Sequence, residues 1–248
     1  MNLWRKWIEK LKARERARGY ACDRCGAELF DYPEHRLCQA CEDFLEETGN
    51  PFCDKCGRKT CTSGVCLGCK SYLPRFTKGF STLVYRGEAS ALVNRMKNGN
   101  PRLALYFGER AADYFAQTMP AQQLLVLPVP TTAARKKHRG YNQAEILAES
   151  VCERLKQRGF DAALAREVLV QTRELSKQKE LGFTARAQNV RGAFHLQKRK
   201  ILHGANVLLV DDILTTGATG SEIARLLKGA GANAVYFLTV AATPEENA

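Results

Sequence analysis

Eight cysteines arranged as four C-x-x-C pairs constrain this chain before any hydrophobic pattern does. Cys22 and Cys25 are followed, after twelve residues, by Cys38 and Cys41; Cys53 and Cys56 are followed, after nine, by Cys66 and Cys69. The opening pairs repeat almost literally, as Cys22-Asp-Arg-Cys-Gly26 and Cys53-Asp-Lys-Cys-Gly57. A tandem duplication of about thirty residues is the simplest account. Each C-x-x-C makes a tight turn whose two thiolates reach one ion, and Gly after the second Cys permits the open backbone that turn needs. Two such turns close a tetrahedral all-cysteine zinc site with no open position, so the metal is expected to be structural. Little of this stretch is apolar enough to fold unaided, and zinc binding on the order of 10–16 kcal/mol supplies the missing stability. A dithiol redox role fits less well, because four pairs are too many and no strand-to-helix context surrounds them. Two zinc ions in sequential ribbons are expected rather than a cross-braced pair, with Cys61 spare and His35 not needed as a ligand. The ribbons are expected to form a small domain over residues 19–72.

The second constraint is Val207-Leu-Leu-Val-Asp-Asp-Ile-Leu-Thr-Thr-Gly-Ala-Thr219. Four apolar residues with no alternating polar face read as a buried strand of a parallel sheet. Asp211 and Asp212 follow where the strand is expected to emerge. A Thr- and Gly-rich loop then enters a helix with Ile223, Leu226, Leu227 and Ala230 on one face and a stop near Gly229 or Gly231. Unpaired N–H groups at a helix start, with Thr hydroxyls beside them, suit phosphate. Thr215, Thr216, Gly217, Ala218 and Thr219 are therefore candidates to hold a sugar 5-phosphate. Asp211 and Asp212, one short reach away, are candidates to accept hydrogen bonds from a ribose diol. No Gly-Lys-Ser/Thr follows the loop, which excludes a Walker A site, and the Gly-x-Gly-x-x-Gly of dinucleotide folds is absent.

Around this unit, strands alternate with helices. Phe80–Tyr85, Leu124–Leu127, a short Val168–Val170 and Val235–Ala241 read as strands. Glu88–Lys97, a segment opened by Asn100-Pro101 with Leu103, Tyr106, Phe107, Ala111, Tyr114 and Phe115 on one face, and a segment from Ala144 to Leu155 read as helices. Cys152 falls on the apolar stripe of the last and is expected in the core. Thr131 to Gln143 packs four cations into what reads as a loop, and Arg173 to Arg191 is polar and poorly periodic, as a closing active-site loop would be. The implied fold is α/β, a doubly wound parallel sheet over residues 73–248 with its ligand at the strand C-terminal ends.

Charge is uneven. The net +12 divides as +5 in residues 1–18, −3 in 19–70 and +10 in 71–248. Such a balance favours polyanionic partners. Residues 1–18 form a basic arm in which Leu3, Trp4, Trp7, Ile8 and Leu11 recur at helical spacing. Two readings stay open for it, an interfacial membrane helix or a helix docking its Trp residues on the zinc unit. No apolar run is long enough to cross a bilayer, and the first residues lack a signal-peptide core, so a cytoplasmic address is expected.

Taken together, these residues resemble the ComF family, competence-type proteins related to amidophosphoribosyltransferases. The motifs that carry the resemblance are the double zinc ribbon, Tyr85-Arg-Gly87, Lys97-Asn-Gly99, Pro128-Val-Pro130, Arg135 with Arg139-Gly-Tyr-Asn-Gln143, Asn189-Val-Arg-Gly-Ala-Phe194 and the 207–219 segment. The resemblance implies a type I phosphoribosyltransferase-like fold and a role in DNA uptake during natural transformation, with phosphoribosyl diphosphate and Mg²⁺ as ligands. By similarity, Val129, Pro130, Thr131 and Thr132 form the diphosphate loop. Arg173 to Arg186 would close over it, with Leu175 where a Thr is usual. Arg135, Arg139 and Arg186 are candidates for the leaving diphosphate's charge. In a binding reading the basic surface tracks single-stranded DNA, the family implies a helicase or other uptake machinery as partner, and the arm leaves contact with the inner face of the membrane open. Tyr141, Phe183 and Phe194 lie among cations and are candidates to stack bases or simply to pack on the sheet. A transferase acting on an unidentified nitrogen acceptor, or a non-catalytic sensor of phosphoribosyl diphosphate, uses the same pocket. The chain opens Met1-Asn2, without the N-terminal Cys that a glutaminase partner domain would need.

Overall fold

The structure is a computed structural model that describes residues 21–30, 36–175 and 188–245. The basic arm, His35, Phe183, Arg186 and most of the closing loop lie outside the described residues.

Five strands form one parallel sheet in the order β1-β7-β6-β2-β3: β1 (Lys78–Val84), β2 (Gln123–Pro128), β3 (Asp161–Leu164), β6 (Asn206–Leu214) and β7 (Ala234–Ala242). β4 (Leu169–Gln171) and β5 (Phe194–Leu196) pair antiparallel in a separate two-stranded hood, so the short strand expected near Val168 stands outside the main sheet. Valine, leucine and alanine fill the central strands because both sheet faces are covered. On one face lie α3 (Gly87–Lys97), α4 (Leu103–Thr118) and α6 (Gln143–Gln157), whose apolar stripes include Leu92, Phe107, Phe115 and Leu147. On the other lie α7 (Ala218–Gly229) and the hood, with Ile223, Leu227 and Phe194 buried.

The cysteine-rich segment, with its short helices α1 (Gln39–Glu42) and α2 (Leu67–Ser71), divides between these two cores. Cys22 and Cys41 are buried with the α3–α4 core, whereas Cys53, Cys56, Cys66 and Cys69 are buried with the α7 core. Residues 46–48 cross between them along β1: Thr48 N–H donates to Thr82 O at 2.9 Å and Val84 N–H to Glu46 O at 2.8 Å. Ion pairs fasten the first unit, with Arg24 forked on Glu88 and Arg110 on Glu42 and Glu47. Backbone contact fastens the second. A Cβ on Gly57 would lie 2.6 Å from Gly79 O, so only paired glycines allow this knuckle to rest on β1.

Two expectations are corrected. The strand does not release its acids: β6 runs through Asp211 and Asp212 to Leu214, because β7 keeps offering ladder partners as far as Ala242. The cationic segment after Pro130 is also not all loop. Ala133–Arg139 forms α5, capped by the Thr132 side chain and stopped by Gly140 at φ +81. α5 buries no residue, which is why hydrophobic periodicity is silent there.

Candidate functional site

The loops after β2 and β6 meet because those strands are neighbours, and Val129 N–H donates to Val210 O at 2.9 Å across their ends. Asp212 is buried, and its Oδ2 accepts from Gln143 Nε2 at 2.7 Å and lies 3.2 Å from Lys97 Nζ. A buried carboxylate needs such partners, since unpaired charge in the interior is costly. Asp211 is half-buried on the other side of the strand, and its Oδ1 accepts the Asp212 N–H at 2.9 Å. Loss of solvation first, and the Asp212 carboxylate second, push the Asp211 carboxyl up to about 8, against the pull of that N–H and of Lys97. Burial beside a second carboxyl thus makes Asp211 harder to ionise than an ordinary carboxyl.

Beyond the acids the chain turns through Thr215, exposed, and Thr216, half-buried, into Gly217 at φ +77, which caps α7. The side of Gly217 faces Phe76, where a Cβ would sit 3.6 Å from the ring. The first turn of α7, where Ala218 N donates to Thr216 Oγ1 at 3.4 Å and the Thr216 and Thr219 side chains are partly open to solvent, is a candidate anion cradle. Opposite it, Val129 and Thr132 are buried while Pro130 and Thr131 are half-buried. Thr132 Oγ1 accepts from Arg135 N and donates to Glu174. Arg135 donates to Leu175 O at 3.2 Å, and Arg139 to Gln143 Oε1 at 3.4 Å. The expected acids, phosphate residues and diphosphate-loop residues are therefore gathered at one end of the sheet.

Several residues of the motifs position this site in ways that the sequence reading does not assign. In Arg139-Gly-Tyr-Asn-Gln143, Gly140 ends α5, and Tyr141 is buried and donates to Met96 O at 2.6 Å. Asn142 caps α6 and donates to Val129 O at 3.1 Å, while Gln143 holds Asp212. Lys97, from Lys97-Asn-Gly99, supplies the countercharge from the end of α3. Of the two roles open for Tyr141 and Phe194, packing is the one seen, since both are core residues, at 7 % and 2 % exposure.

Each cysteine set gathers its sulfurs within 4.8 Å of one another, in sequential pairs. The two knuckles share their hydrogen bonds. Cys22 N donates to Ala27 O and Cys53 N to Arg58 O; Gly26 N donates to Cys22 O and Gly57 N to Cys53 O. Backbone N–H groups of Cys38 and Cys66 point at Cys22 and Cys53 sulfur, each at 3.3 Å. Crowding makes the thiols share protons: hydrogen bonds from Cys56, Cys66 and Cys69 hold Cys53 far below its ordinary value, while Cys69 is pushed up by Cys53 and the rest. Four converging sulfurs with N–H donors around them fit zinc, which takes all four as thiolates.

Among the described residues no helix is long and apolar enough to cross a membrane. The model of the phosphoribosyl transferase domain matches residues 104–248. Competence protein ComFC of Bacillus subtilis (strain 168) is 26% identical over 217 residues, covering 84% of this chain and 85% of that protein. Competence protein F of Haemophilus influenzae is 28% identical over 222 residues, 86% and 92% of the two chains. DNA utilization protein YhgH of Escherichia coli (strain K12) is 27% identical over 208 residues, 80% and 87%. With the parallel sheet, the loops that meet at its C-terminal end and relatives matched over most of their length, the chain belongs to the phosphoribosyl transferase domain family and, within it, to the ComF proteins.

Proposed function

We propose that this protein serves DNA uptake or utilization by binding a 5-phosphoribosyl ligand, phosphoribosyl diphosphate with Mg²⁺, and single-stranded DNA. The observation that carries the sugar-phosphate half is the pairing of a buried, doubly held Asp212 with the anion cradle at the start of α7. A cradle alone accepts any anion; an acid pair one strand-end away selects one that also bears a diol or a bound cation. In this reading Thr215 to Thr219 hold the 5-phosphate, Asp211 and Asp212 the ribose hydroxyls, Val129 to Thr132 the diphosphate, and Arg135 and Arg139 its charge. Mg²⁺ would be carried by the diphosphate and would bring Asp211 into its anionic form. The DNA half rests on the +10 charge of residues 71–248 and on the names borne by the relatives. A cytoplasmic protein working where DNA enters, beside a helicase, fits that role.

A transferase reading uses the same pocket: the acid pair, with Asp212 held by Gln143 and Lys97, would face the ribose on which positive charge develops. Calorimetric titration of the zinc-loaded protein with phosphoribosyl diphosphate and Mg²⁺ tests the proposal. Micromolar binding that disappears in the Asp211→Asn, Asp212→Asn double variant is expected; silence from the wild type refutes it. Fluorescence anisotropy with a single-stranded oligonucleotide tests the DNA half, where affinity must fall linearly in log K against log salt.

A further inference from the structure

Arg58 is 7 % exposed, yet its guanidinium belongs to neither acid of the site. One side, Nε, donates to Cys56 Sγ at 3.3 Å; the other, Nη2, donates to the carbonyl oxygen of Thr215. The first is a ligand atom of the second cysteine set, and the second opens the anion cradle. The two repeats differ here: the residue after the knuckle glycine is Ala27 in the first and Arg58 in the second. Among the described residues the cation at the first set, Arg24, donates to Cys41 Sγ at 3.6 Å and to Glu88 on α3, and so leads away from the cradle.

Why that bond matters follows from peptide planarity. In a trans peptide the C=O of Thr215 and the N–H of Thr216 point in opposite directions. Fixing the carbonyl on Arg58 therefore aims the Thr216 N–H the other way, out of the protein core. A buried guanidinium in turn needs an anion. Four thiolates around one divalent zinc leave a net negative centre, with Cys56 presented to Nε in a fixed position. Phe76 lies against Gly217, and Lys55, from the second cysteine unit, donates to Phe76 O, so the same unit also braces the cradle through that ring.

We propose that Arg58 is a positioning residue for the sugar-phosphate loop, joining the metal centre at Cys53, Cys56, Cys66 and Cys69 to the direction of the Thr216 amide. The second centre thereby bears on the loop, whereas among the described residues Arg24 ties the first centre to Glu88 on α3. This rests on the reading of Thr215 to Thr219 as the 5-phosphate loop.

The test compares wild type with Arg58→Met and Arg58→Lys, all with zinc content measured. The probes are ribose 5-phosphate, which needs the cradle, and Mg²⁺-pyrophosphate, which needs the loop after β2. Amide exchange at Thr216 to Thr219 is followed by mass spectrometry without ligand. Loss of one charged hydrogen bond should weaken ribose 5-phosphate by about tenfold or more in Arg58→Met. Pyrophosphate binding and zinc content should stay at the wild-type level, and exchange at Ala218, whose N–H is bonded to Thr216 Oγ1, should accelerate. Arg58→Lys, whose compact ammonium cannot fork across both acceptors, should follow Arg58→Met and also reports if the methionine variant fails to fold. Wild-type exchange and wild-type ribose 5-phosphate affinity in both variants would overturn the relay, as would equal loss of both probes, the mark of general damage. If the wild type binds no ribose 5-phosphate, the functional reading is what fails, and the exchange rates alone decide the relay.

Discussion

The acid pair makes the strongest pH-dependent claim. Asp211 is raised from 3.8 to about 8 by burial and by Asp212, so between those values the folded protein keeps a proton that the unfolded chain releases. Stability contributed at this position is therefore greatest below about pH 4 and falls as pH rises towards about 8. The full shift of about 4 units corresponds to roughly 5 kcal/mol. The carboxyl remains partly open to water, however, and a contribution of about 2 kcal/mol is the reasonable expectation after screening. Asp211→Asn keeps an oxygen for the Asp212 N–H and removes the titration. Urea unfolding of both zinc-loaded proteins from pH 5 to pH 9 gives the difference directly, and metal release at the acid end cancels between them. The variant should gain about 2 kcal/mol on wild type across that range, most of it by pH 8. A difference that does not change with pH, or one that grows in favour of wild type, refutes the account of Asp211.

Further outcomes follow from named contacts. Gly220→Ala places a Cβ 2.5 Å from the buried Phe237 ring, and overpacking of this kind should lower urea-unfolding stability by about 1–3 kcal/mol. Gln143→Leu leaves Asp212 on Lys97 alone, and calorimetry should find phosphoribosyl diphosphate binding weakened about tenfold. A chromogenic chelator should draw zinc in two phases. The first cysteine set, with Cys25 exposed and Cys38 half-buried, should release early, and the second, with all four cysteines buried, late; Cys66→Ser should lack the late phase.

The parts of the fold that repeat a local rule were legible. Four C-x-x-C pairs foretold two sulfur clusters, and continuous apolar runs foretold β2, β6 and β7. What escaped had no such signature. β3 is Asp161-Ala-Ala-Leu164, too short and too poor in branched residues to stand out from a loop. The seven-residue α5 shows a Thr cap and a Gly stop but no apolar face, so its evidence lies only at its ends. The acids and threonines of the candidate site could be proposed together because strand, loop and helix are contiguous in sequence. Lys97 and Gln143 were not, because their importance depends on Asp212, which lies 69 residues from Gln143. Arg58 was more hidden still, 157 residues from Thr215, with only the mismatch to Ala27 as a trace.

The strap of residues 46–48 has a consequence for how partners can approach. A free edge strand is an invitation to strand addition, whether by a client peptide or by a second copy of the same sheet. At the Thr82–Val84 end of β1 that invitation is withdrawn, since Thr82 O and Val84 N are already bonded to Thr48 and Glu46, and nearer its start Gly79 N is taken by Lys55 O. At the far side β3 offers only four residues. Recognition by this protein is thereby pushed off the sheet margins and onto side chains and loops, where charge and shape, rather than backbone ladders, decide what is held.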